Sequence, residues 1–187
     1  ALAAALSIDG ALYTPYNRID VVRDANAPVV NYLIYANRDA HQFATDLSPA
    51  ALRRIPPDAR APFDWAAHFH QWPFDLATRK ARALIVGAGA GNDVAAALRA
   101  GFSSVTAVEI DPVILKTGRR IHPERPYSDP RVTVVLNDAR NYFESNREER
   151  FDVVAFALLD SHAMFSSMAT LRLDNYVYTV EGVRAGW

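Results

Sequence analysis

From Arg82 onward, short apolar runs without charge alternate with amphipathic stretches. Ala83-Leu84-Ile85-Val86 reads as a strand buried on both faces, and Val94 to Leu98 as a helix that Gly101 can stop. Val105 to Glu109 and the β-branched Val132 to Leu136 predict two more strands, and Val153 to Leu159 a fourth. Asp111-Pro112 opens a helix, with a cap at Asp111 and proline at the first helical position. Asp138 can likewise cap Ala139 to Ser145. Strand and helix repeated four times predict right-handed crossovers and a parallel sheet.

The upstream part is patterned differently. Ile19-Asp20-Val21 alternates, Asp24 to Pro28 is a turn, and Val29 to Tyr35 is a second strand within a β-rich region from Tyr16 to Thr45. Ser48 to Pro62 carries four prolines and reads as a connector with one short helical turn. Asp64 then caps a helix bearing Trp65, Phe69 and Trp72, which Pro73 ends. Packing against the sheet is the expected fate of those aromatic rings. The chain thus divides into a β-rich segment at 1–47, a linker with an aromatic helix at 48–80, and an α/β domain at 81–187.

Composition narrows the class. Of 187 residues half are hydrophobic, ample for a core, and a net charge of -1 with scattered basic residues gives no case for nucleic acid. The chain has no cysteine, which excludes disulfides and thiolate metal sites and fits a reducing, cytoplasmic setting. No run approaches the ~18 apolar residues of a membrane span. Because the chain lacks an initial methionine and stops at Trp187 inside an apparent helix, further strands are expected beyond it, and a longer parent could carry membrane segments.

The chemistry concentrates after the first buried strand. Gly87, Gly89 and Gly91 form a tight strand-to-helix corner where a ligand can approach the backbone. Twenty-two positions after Gly87, Glu109 ends the next strand, where a carboxylate can accept from a ribose diol. Asp138 follows the third strand on the same ligand side, although capping explains it equally well. Asp93, just inside the helix, stabilises its dipole and is a candidate to face a ligand amine. A dinucleotide fingerprint wants its third glycine at position 92, where Asn92 stands, which disfavours a nicotinamide-dependent dehydrogenase. A glycine corner followed by acids after the second and third strands is the pattern of class I S-adenosylmethionine-binding proteins.

With that corner, Val108-Glu109-Ile110-Asp111, Asp129-Pro130-Arg131-Val132, Asn137-Asp138-Ala139 and Phe151-Asp152-Val153-Val154 in order, the chain resembles the spermidine synthase family. Tyr16-Asn17-Arg18-Ile19, His41-Gln42 and Trp65 to Phe74 extend the resemblance upstream. It implies a small N-terminal β-domain on a Rossmann-like, S-adenosylmethionine methyltransferase-type sheet, and at least a homodimer. The chemistry implied is aminopropyl transfer from decarboxylated S-adenosylmethionine to a small-molecule amine. Carried over residue by residue, Gly87, Gly89 and Gly91 floor the nucleoside site, Glu109 grips the ribose, and Asp138 beside Ala139 holds the adenine amino group. Gln42, Trp65 and His162 fall at substrate positions. Asp160, helped by Tyr176 or His162, is the candidate base. The family's loop aspartate and amine-deprotonating acid are replaced by Ala90 and Ala157, and its tyrosine-x-glutamate by Trp65-Ala66-Ala67. These changes point to an acceptor other than putrescine, whose two ammonium groups need carboxylates.

Two alternatives share the fold: a methyltransferase using intact S-adenosylmethionine, and a non-catalytic nucleoside-binding domain of a larger protein. No metal site is expected, since His68 and His70 are two apart on a helix and point to different faces.

Overall fold

A computed structural model describes residues 10–157. Two four-stranded sheets make up the chain there. The first is antiparallel, in the order β1 (Leu12–Tyr13), β2 (Arg18–Arg23), β3 (Asn31–Ala36) and β4 (Asp39–Thr45). The second is parallel, in the order β7 (Val132–Leu136), β6 (Ser104–Glu109), β5 (Arg82–Val86) and β8 (Val153–Phe156). Helices α3 (Asn92–Arg99), α4 (Pro112–Ile121) and α5 (Ala139–Ser145) make the crossovers, and α1 (Pro49–Leu52) and α2 (Pro57–Asp75) join the two sheets. None of the described helices is long and apolar enough to cross a membrane.

The parallel sheet follows the hydrophobic pattern. β5 and β6 are the central strands and are buried on both faces from Ala83 to Val86 and Val105 to Val108, as charge-free runs require. Asp111 caps α4 by accepting from Val113 and Ile114 N–H, and Asp138 caps α5 by accepting from Asn141 N–H. Gly101, at φ 91°, takes up the left-handed conformation that ends α3. The expectation of further strands after the fourth, and the last part of the run to Leu159, lie outside the described residues.

Three local features depart from the sequence reading or add to it. First, α2 starts at Pro57 rather than Asp64 and runs through Pro73 to Asp75, with Pro62 and Pro73 inside it. Each proline removes one backbone donor, and tertiary contacts on α3 offset the loss: Phe74 is fully buried, and Gln71 donates to Ala96 O at 3.2 Å. Second, Trp65, Phe69 and Trp72 do not pack against the sheet; they are 66%, 41% and 56% exposed. Phe63, His70, Gln71 and Phe74 already form the packing side of α2, so residues at 65, 69 and 72 fall on its opposite side. Trp65 instead stacks on Phe69 at 5.2 Å. Third, a tight hairpin joins β3 to β4 through Asn37 and Arg38, both at positive φ (53° and 75°). That is the primed-turn geometry usually signalled by glycine, and here no glycine marks it.

Gly118 on α4 lets that helix lie against the loop after β5. A Cβ built there would sit 2.5 Å from Ala90 O and 2.8 Å from Ala90 Cα, both backbone atoms. Gly118→Ala should therefore destabilise the fold by about 1–3 kcal/mol through overpacking. An exposed helix position would instead gain about 1 kcal/mol from the same change. Urea denaturation decides between the two signs, and a gain in stability would refute the close approach.

Candidate nucleoside-binding site

The site is built where β5 and β6 end. Gly87, Gly89 and Gly91 all take positive φ (72°, 55° and 110°), so the chain turns from strand into α3 through conformations that side chains disfavour. Gly87 and Ala88 N–H both donate to Val108 O, which holds the loop against the neighbouring strand. Glu109, 6% exposed, turns its carboxylate into this corner. Oε2 accepts from Gly89 N–H and Oε1 from Asp111 N–H, each at 2.8 Å. Burial pushes this carboxyl above its ordinary value, while the two backbone donors and a third at Ile110 pull it back.

Three features of the site were not apparent in the sequence. Tyr127, on a short 3-10 turn at Pro126–Ser128, donates to Gly89 O at 2.7 Å and lies 3.1 Å from Ala88 O. Its ring fills the space where a side chain at Gly91 would go. Burial, reinforced by the charges of Glu109 and Asp93, raises its phenol well above the ordinary value. Asn92 clamps the N-terminal sheet onto the loop: Nδ2 donates to Phe43 O at 3.1 Å, and Oδ1 accepts from Thr45 N–H at 3.3 Å. Oδ1 also meets Nε2 of His122 at 2.9 Å. Third, Ala90 is 2% exposed and packs with Ile19, Ile34, Ala44 and Ile114, so its methyl group joins the two sheets.

The candidate residues fall into groups. Gly87, Gly89, Gly91 and Glu109 converge on one corner. Gln42 joins them from β4: its Oε1 accepts from Ala90 N–H at 2.6 Å and lies against Gly89, over the loop. A ligand reaching the Gly89 backbone must share the site with this flexible amide or displace it. Asp138 and Ala139 stand at the end of β7, where Asp138 has one oxygen in the cap and Ala139 packs with Leu84 and Val86. Asp93 is turned to α2, its Oδ1 2.8 Å from Nδ1 of His70. Trp65 lies on the outward side of α2, and no described contact brings it to the glycine corner. Asp160, His162 and Tyr176 lie outside the described residues. Among the described residues, no cluster of three histidine or acidic side chains is placed to hold a metal.

A parallel α/β sheet with a glycine corner and a buried acid on the adjacent strand defines a Rossmann-like domain. Residues 67–176, more than half of the chain, match the model of the spermine/spermidine synthase domain, and the chain belongs to that family. A polyamine aminopropyltransferase from Korarchaeum cryptofilum (strain OPF8) is 34% identical over 84 residues, covering 43% of this chain and 26% of the relative. A spermidine synthase solved in complex with the transition state analogue AdoDATO superposes with a TM-score of 0.63 at 17% identity, over 94% of this chain and 53% of that one. Spermidine synthase from Thermotoga maritima gives the same score and identity, over 94% of this chain and 52% of that one. The chain therefore spans about a quarter of the curated relative and about half of the solved structures. At this identity the structural matches establish the fold.

Proposed function

We propose that the glycine corner binds the nucleoside of decarboxylated S-adenosylmethionine and that the domain transfers its aminopropyl group to a small-molecule amine. The observation that carries this reading is the Glu109 carboxylate, fixed at the end of β6 and bonded to Gly89 N–H. Two of its roughly four lone-pair directions are used by backbone donors, which leaves others for a ribose diol. Family membership supports the donor class, and so does the spermidine synthase of the same fold that was solved in complex with the transition state analogue AdoDATO. The donor brings its own leaving group, so the protein has mainly to align the reactants and supply a neutral nucleophile.

Ala90 and Ala157 favour a second reading, nucleoside binding without turnover. Both are buried in apolar surroundings, so neither position offers a carboxylate to an incoming ammonium. Calorimetry with decarboxylated S-adenosylmethionine, S-adenosylmethionine and NAD tests the donor. The decarboxylated form should bind most tightly and NAD should not bind. Tighter binding of NAD, or no binding of either sulfonium, would overturn the nucleoside assignment. Release of the thioether nucleoside in the presence of amines separates a transferase from a binding domain.

A further inference from the structure

His70 lies where α2 passes the start of α3, and its Nδ1 is 2.8 Å from Oδ1 of Asp93. Asp93 is two residues beyond Gly91, the residue that caps α3, so the carboxylate that holds His70 belongs to the first turn after the glycine corner. Each side chain is 19% exposed, sheltered yet within reach of a solute. A carboxylate only accepts, so in the neutral ring Nδ1 carries the proton and Nε2 presents its lone pair. Among the described residues Nε2 has no hydrogen-bond partner. An acid that fixes the tautomer and orientation of an imidazole while leaving its far nitrogen open is the arrangement of a general base. The Phe69 ring meets His70 edge-on at 5.6 Å, and Trp65 stacks on Phe69. Phe69 thus offers an exposed apolar edge beside the base, suited to a methylene of an alkylamine, with Trp65 behind it on the outward side of the helix.

We propose that His70, oriented by Asp93, and not Asp160, is the catalytic base that takes the proton from the acceptor amine, in a chain whose alanines at 90 and 157 carry no acid. The inference rests on the transferase reading above. The acceptor enters as an ammonium whose basicity falls on desolvation, and it gives one proton to Nε2, which passes it to solvent. The freed nitrogen lone pair forms the new N–C bond to the aminopropyl group while the C–S bond of the sulfonium breaks. The electron pair stays on sulfur, leaving a neutral thioether nucleoside, and the product departs as a secondary ammonium. Asp93 acts through His70 and is a positioning residue. Of the other charged groups near this pair, His122 beyond the end of α4 is held neutral by burial and by the nearby Arg99. Arg99, farther along α3, is paired with Glu124. Asp75 on α2 accepts from Gln71. The α1 and β8 segments that touch α2 carry no charged side chain.

The test uses the 187-residue chain with decarboxylated S-adenosylmethionine and a panel of monoamines, diamines of three to five carbons and spermidine, scoring the thioether nucleoside. His70→Gln should lower transfer by about 100-fold or more, with the donor Kd changed by no more than about twofold. Asp93→Asn should lower transfer by about tenfold or more and displace the acidic limb of the kcat/KM profile, a change that a purely structural pairing of two helices would not cause. Should His70→Gln fail to fold, carbethoxylation of His70 in the wild-type chain replaces it. Modification should abolish transfer, and donor plus amine should protect the ring. Wild-type transfer and pH profile in His70→Gln, or full activity after modification, would overturn the assignment. A chain that binds the donor but transfers to no amine overturns the base and leaves the nucleoside reading standing. A chain that binds no donor overturns the reading beneath it.

Discussion

Glu109→Ala should weaken donor binding by about 1.5–3 kcal/mol, the scale of hydrogen bonds to a charged group, which is roughly tenfold to a hundredfold in Kd. The same change should destabilise the fold, because the carboxylate is a structural tie as well as the proposed ribose ligand. Its removal leaves Gly89 and Asp111 N–H, both bonded at 2.8 Å in the wild type, without their acceptor inside the protein. Orphaning a buried donor costs about 1–3 kcal/mol, so two of them threaten a domain of ordinary stability. Glu109→Gln separates the effects: its single carbonyl oxygen can keep one backbone donor, while its amide turns a donor toward the other. Binding in Glu109→Gln should still fall, with a smaller loss of stability. Calorimetry well below the unfolding transition of each variant provides the comparison. An unchanged donor Kd in folded Glu109→Gln would remove Glu109 from the ligand.

The place of Glu109 at the end of β6 was legible in the sequence through periodicity, and the contacts of Tyr127, Asn92 and His122 were not. Short charge-free runs at 83–86 and 105–108, bounded by turn residues and rich in β-branched side chains, read as buried strands, and an acid at the end of such a run stands at the carboxyl edge of the sheet, where ligands bind. Positive φ at Gly87, Gly89 and Gly91 follows from the same local logic. Tyr127, Asn92 and His122 act across 30 to 49 residues of sequence, and no local pattern marks a contact of that range. Asn92 occupies a position where a dinucleotide-binding loop would have glycine, and its role becomes clear only once β4 lies against α3. Likewise the loss of a loop acid at Ala90 reads from sequence as missing chemistry. In the fold, the methyl group is buried among Ile19, Ile34, Ala44 and Ile114, where a carboxylate would meet only apolar neighbours, while the Ala90 backbone lies against Gly118. The α2 aromatics mislead for a related reason. Large rings are usually buried, but on a helix with two apolar sides spacing alone does not say which side faces the core.

The interdomain clamp gives a pH dependence of stability. Asn92 is fixed from both ends, since Thr45 N–H donates to its Oδ1 and its own Nδ2 donates to Phe43 O. His122 Nε2 must therefore donate to that Oδ1, and Nδ1 accepts from Glu124 N–H at 3.2 Å. This neutral tautomer is fully matched. A second proton would fall on Nδ1, facing another donor. Burial and the nearby Arg99 push the imidazole down to about 3, against an ordinary value of 6.5. A group with a depressed folded value contributes stability that is fully present above 6.5 and is lost as pH falls toward about 3, since only the unfolded chain gains the proton in that window. The expected slope is about 1.4 kcal/mol per pH unit below 6, or a few kcal/mol by pH 4. Glu109 works in the opposite sense: its raised value means that the folded chain takes up a proton before the unfolded one does, which offsets part of the loss. Denaturation of the wild type and His122→Gln between pH 7.5 and 4 isolates the histidine. The variant should start less stable, having lost the match to Asn92, and fall less steeply by close to one proton. Parallel curves for the two chains would mean that His122 accepts its proton in the folded state, and that Asn92 does not hold it as a donor.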